Sequence, residues 1–199
     1  ERSPEEGDVT SSTLVLSTTK ISMTFAENLF IIVSVIVFIF FVISVKKINW
    51  DKLGFSPKPL FNGWWQIILF NASIFALVQF TIVNKFLELP SWMVDKDPLF
   101  GLLLITFIQE IVFRSITISS LERFGKQKAL WGSILIFVLF HLIAPYAWSS
   151  AGIIFAALTF VGGYFWGWHF LKFRNIYLLG ISHFLVNLSF NFFIIQFLL

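Results

Sequence analysis

Leu102-Leu103-Leu104-Ile105-Thr106-Phe107-Ile108-Gln109-Glu110-Ile111-Val112-Phe113-Arg114 is an apolar run with a carboxylate and a guanidinium set into its middle. Its length and helix-forming content predict a buried or membrane helix, and the spacing puts Glu110 and Arg114 one turn apart on one face. An ionisable group at bilayer depth costs several kcal/mol, about 2.5 to 3.5 on the more lenient insertion scales. A chain that keeps such groups there is expected to use them.

Two further polar patterns sit in runs of the same kind: Phe137-Val138-Leu139-Phe140-His141 and His183-Phe184-Leu185-Val186-Asn187. Each again spaces its two outer residues by one helical turn. The surrounding composition sets the class. Of 199 residues 57% are hydrophobic, with 27 Phe and 8 Trp, and the mean hydropathy is +0.85. So much apolar surface exceeds what a soluble core of this size hides, which predicts an all-α, polytopic membrane protein. The absence of cysteine removes disulfides, thiolate metal ligands and cysteine nucleophiles. The net charge of +3 is spread over loops and gives no reason to expect a nucleic-acid partner.

Six spans are predicted, at 28–45, 64–83, 98–121, 129–143, 150–173 and 176–199. Residues 1–27 read as a polar, disordered extracytoplasmic tail, and 28–199 as one integral-membrane domain with a core at 53–199. Gly162, Gly163 and Gly167 give the fifth span a small-residue surface for close helix approach. The other Phe and Trp residues read as lipid-facing surface and interfacial belt. Lys46, Lys47, Lys52 and Lys58 follow the first span, Arg123, Lys126 and Lys128 the third, and Lys172 and Arg174 the fifth. By the positive-inside rule these loops are cytoplasmic and both termini extracytoplasmic, which suits a bacterial plasma membrane. At 1.5 Å per residue, Glu110, His141, His183 and Asn187 all lie about 12 to 18 Å into their spans. Three motifs far apart in sequence are therefore expected at one level.

The motifs in this order resemble the CPBP family of intramembrane endopeptidases, also called the Abi or CAAX-protease and bacteriocin-processing family. That family carries Glu-Glu-x-x-x-Arg, Phe-x-x-x-His and His-x-x-x-Asn on successive membrane helices, and Leu53-Gly54-Phe55 before the second span is similar as well. The resemblance implies a glutamic protease. The first carboxylate of motif one and His141 would activate water, His183 and Asn187 would stabilise the oxyanion, and Arg114 and Phe137 would support them. No cofactor is implied. The substrate would be a hydrophobic, lipidated or membrane-embedded peptide.

The departure from the family pattern is Gln109, which stands where the first Glu belongs and whose neutral carboxamide cannot accept a proton from water. Three explanations stay open. Gln109 is a disabling substitution in an active protease, or the protein is a non-catalytic relative that binds or regulates membrane peptides, or Glu110 with His141 suffices. A zinc enzyme using Glu110, His141 and His183 is a minority alternative, and a transporter lined by the same groups another. Taken singly, the Glu110–Arg114 pair and each histidine also fit a purely structural role in helix packing. His169 has no motif partner and is read as structural.

Overall fold

The computed structural model describes residues 36, 49–56, 61–84, 99–142 and 150–190. The chain divides into two units, Glu1–Ser44 and Val45–Leu199, and the helices that build the fold and its site belong to the second. The expected tail, the first span, the start of the membrane domain at residue 28 and the segment 191–199 lie outside the described residues, apart from a single helical position at Ile36.

Five helical rods make up the described part of the second unit. Helix α1 covers Trp64–Val83. Helix α2, Leu99–Glu110, runs on through a π-helical stretch, Ile111–Ile116, into α3, Thr117–Leu121, and a final 3₁₀ turn. Helices α4, Lys126–Leu142, α5, Ser150–Phe173, and α6, Ile176–Leu188, complete the order. The described residues are helical as expected and form five rods; the remaining predicted span, 28–45, lies outside them.

Two rods, Trp64–Thr81 and Leu99–Phe124, are long and apolar enough to cross a membrane by length and composition, and Ile176–Leu188 is a shorter apolar helix. Helix α4 has 17 residues and opens on lysines. Helix α5 has 24 residues.

Local chemistry sets the ends. Asn175 caps α6, its side-chain oxygen accepting from the Leu178 N–H, a common way to satisfy a first-turn donor. Gly125, at φ 112°, breaks the chain between the 3₁₀ turn and α4, so α4 begins three residues before the predicted start. Helix α4 packs along α5, α2 along α6, α3 against α4, and α1 mainly against α6. Phe113, Ile118, Leu130, Ile134, Phe137, Trp166, Phe170 and Leu179 are buried between them. Of the small residues predicted on α5, Gly163 and Gly167 face α4, where a Cβ would stand 3.2 Å from the Phe137 ring and 2.6 Å from Leu130, whereas one on Gly162 would meet Trp166 of the same helix.

The segment 49–56 ties the far ends of these helices together. Gly54, at φ 81°, accepts from the Ile176 N–H at 3.1 Å, and a Cβ there would strike Phe170. Ser115 and Ser119 donate to the carbonyls of Leu53 and Lys52. Tyr177 donates to Phe55 O, and Arg174 pairs with Glu122 while also donating to Lys52 O. A loop with so many backbone acceptors in use acts as a fixed strap across α3 and α6.

Candidate active site

Glu110 ends the α-helical part of its rod and is fully buried. One carboxylate oxygen, Oε1, lies 2.8 Å from His183 Nδ1 on α6. The other, Oε2, faces Arg114 Nε at 3.3 Å. Arg114 is itself fully buried, so an anion and a cation sit together out of reach of solvent. Leaving either alone there would strand a charge at a cost of several kcal/mol.

Arg114 lies within the π stretch. Side-chain hydroxyls add to the bonding of its carbonyls: Ser133 Oγ on α4 donates to Phe113 O at 2.6 Å, and Thr117 Oγ1 joins its own backbone N–H on Val112 O at 2.8 Å. Short π stretches recur at functional sites. The guanidinium stacks over the Phe137 ring, 4.1 Å from its centroid, and lies 5.5 Å from that of Trp166. Its two terminal nitrogens have no hydrogen-bond partner, so the π faces are the main compensation for their burial.

Phe137 stands between the two motif histidines, its centroid 4.4 Å from that of His141 and 5.9 Å from that of His183. His141 Nδ1 lies 2.7 Å from the Phe137 carbonyl oxygen. A carbonyl only accepts, so Nδ1 carries the proton and Nε2 is the acceptor nitrogen of the neutral ring. The same logic applies to His183, whose Nδ1 donates to the Glu110 carboxylate.

Phe137, His141, His183 and Asn187 line one cavity of about 50 Å³, with Trp166 of α5 and Phe70 of α1 among the remaining walls. That space accommodates water. Residues of the second and third motifs therefore meet at the cavity, and the first motif joins them from behind. Gln109 and Glu110 do not line the cavity. Glu110 reaches it through His183, and Gln109 is buried with its Oε1 atom unpaired. Among the described residues, no group of three or more His, Cys, Asp or Glu side chains is arranged to hold a metal ion.

Two groups at the site are not singled out by the sequence. Trp166 is 2% exposed and stacks on His183, centroids 4.3 Å apart. This corrects the reading of the tryptophans as belt and lipid surface, because Trp166 lies in mid-helix beside glycines, where its bulk fills the space they vacate. Ser182 is fully buried and accepts from Trp166 Nε1. A tryptophan far from either end of a span is the available signal. His169 is buried on α5 beside the Gly63 carbonyl, 3.3 Å away, apart from the motif residues and in keeping with a structural role.

Neither the curated proteins nor the solved structures contain a match to this chain. Residues 97–189 match the family model described as Type II CAAX prenyl endopeptidase Rce1-like. That stretch holds all three motifs and four of the five described rods, and over it the chain is similar to the type II CAAX prenyl endopeptidases of that family.

Proposed function

We propose that the protein is an intramembrane endopeptidase whose site works below the family's strength because Gln109 supplies no carboxylate base. The observation that supports it is the cavity shared by His141, His183 and Asn187, with Glu110 bonded to the back of His183. A water held in the cavity loses its proton to His141 Nε2 and attacks the scissile carbonyl. The developing oxyanion is received by Asn187 Nδ2 and, when its ring carries both protons, by His183 Nε2–H. His141 then returns the proton to the leaving amine. Arg114 holds the Glu110 carboxylate in place. The metal-free route is preferred over zinc because Glu110 is occupied by Arg114 and His183.

The substrate is a hydrophobic peptide that reaches the cavity from the bilayer, lipidated or membrane-embedded, in a bacterial plasma membrane with both protein termini outside. A second reading is favoured by one specific observation: among the described residues, no carboxylate lines the cavity. On that reading the chain is a pseudoprotease that holds such peptides without cutting them.

Cleavage of quenched peptides, one lipidated at a CAAX-type tail and one an unlipidated hydrophobic leader, decides between them in proteoliposomes. Gln109→Glu is expected to raise the rate by about 10²- to 10⁴-fold, the usual contribution of a positioned base. Adding His141→Ala is expected to abolish the gain, and a chelator to leave it intact. If peptides bind but no form cleaves, the pseudoprotease reading stands. If the unmodified chain already cleaves and Glu110→Ala stops it, the Glu110–His183 pair is the base.

A further inference from the structure

His183 is held from three directions, and only two of them belong to the motifs. Glu110 fixes Nδ1. Phe137 meets the ring edge-on. The third contact is with Trp166, whose indole lies nearly parallel to the imidazole, with an interplanar angle of 25° at 4.3 Å. That contact determines the plane in which His183 presents Nε2 to the cavity.

Trp166 is in turn prevented from rotating. Its Nε1–H donates to Ser182 Oγ at 2.9 Å, and the same hydroxyl accepts from Asn71 Nδ2 of α1 at 2.8 Å. A hydroxyl has two acceptor lone pairs, so both bonds form together. Asn71 Nδ2 also donates to Ile67 O, one turn back on its own helix, which anchors the amide. Its Oδ1 atom is buried with no partner. An amide kept in an apolar helix with half its capacity unused is costly, and its visible use is the bond to Ser182.

We propose that Trp166, locked by Ser182 and Asn71, is the positioning residue for His183, and that this chain of contacts couples α1 to the site. Phe70, next to Asn71, is a wall of the cavity and stacks on Phe165 of α5 at 3.9 Å. A peptide that enters beside Phe70 and displaces α1 pulls Asn71 from Ser182, loosens the hydroxyl that holds the indole and lets His183 tilt. Glu110 and the edge of Phe137 leave the imidazole free to turn about its Nδ1 bond. The kinetic part of this inference rests on the peptidase reading; the structural part does not.

The test uses the full chain, labelled with ¹⁵N-histidine, in lipid nanodiscs. There are three histidines, so the imidazole signals are assignable with single His variants. Trp166→Phe keeps a ring but loses the N–H donor, Ser182→Ala removes the shared acceptor, and Asn71→Leu removes the anchor. Each is expected to move the His183 ring signals and reduce the upfield shift that the indole imposes, while those of His169 stay in place and report an intact fold. Trp166→Phe with Ser182→Ala is expected to move them no further than either alone, because both break one bond.

In the Gln109→Glu background the same variants are expected to lower kcat by on the order of 10- to 100-fold, the scale of a small misplacement of a catalytic group. KM is expected to hold. Unmoved His183 signals in folded Trp166→Phe and Ser182→Ala proteins overturn the proposal, as does full additivity in the double variant. If nothing cleaves in any background, the peptidase reading fails while the resonance shifts still decide the positioning role.

Discussion

Helix α1 and the rod Leu99–Phe124 are both apolar enough to cross a membrane, yet in the more apolar rod 39% of the most apolar stretch is buried, against 11% in α1. In water such a difference would show as an amphipathic pattern. In lipid it does not, because the bilayer and the protein interior are both apolar and a leucine is equally suited to either. The distinction lies in the polar residues. The rod carries Glu110 and Arg114, fully buried and paired. Helix α1 carries amides that bind the Ser182 hydroxyl and the Ser189 carbonyl and leaves Leu69, Leu77 and Phe80 exposed.

The strongest way to break this comparison is to strand a charge. Glu110→Leu leaves Arg114 buried without its anion and is expected to lower stability by about 3 to 5 kcal/mol, read as a large fall in thermal unfolding temperature in detergent. An unfolding temperature that does not move would mean that the stacking of Arg114 on Phe137 and Trp166 suffices.

Helix approach is the next test. A Cβ on Gly180 would stand 2.6 Å from the Phe107 ring, whereas one on Gly101 meets nothing within 4 Å. Gly180→Ala is expected to destabilise by about 1 to 3 kcal/mol through overpacking, and Gly101→Ala to be neutral or slightly stabilising as a better helix former. Denaturation in mixed micelles compares the two.

Ser133→Ala probes the π stretch. It removes the donor to Phe113 O and is expected to cost about 1 kcal/mol, with faster amide exchange confined to residues 111–117. The smallest effect is expected at the surface of α1: Leu69→Ala trades one lipid contact for another and should shift the unfolding temperature by no more than the scatter between preparations. A large shift there would show that α1 is covered by protein.

Much of this is legible in the sequence. Motif order and depth put His141, His183 and Asn187 at one level, since the rise per residue is fixed once a helix is assumed. The Glu110–Arg114 pairing follows from spacing. The π stretch does not, because Glu-x-x-x-Arg satisfies an ordinary turn equally well and the hydroxyls that stabilise the wider one, from Ser133 and Thr117, come from positions the motif does not contain. The sequence separates Gln109 from Glu110 only as a difference in direction; that Glu110 sits behind His183 depends on the packing of α2 on α6. The place of Trp166 within its span sets it apart from a belt tryptophan, but an aromatic in an apolar run carries no mark of which way it points.

The π stretch also bears on how this rod tolerates change. It holds one residue more than a regular coil would use, so deleting a residue such as Val112 would let the rod rewind as a plain α-helix while everything beyond keeps its facing, with Ser119 still reaching the strap at Lys52. In a regular helix a missing residue turns all that follows by about 100°. The π stretch is thus the place where this rod can change its length by one residue without losing its hold on the strap.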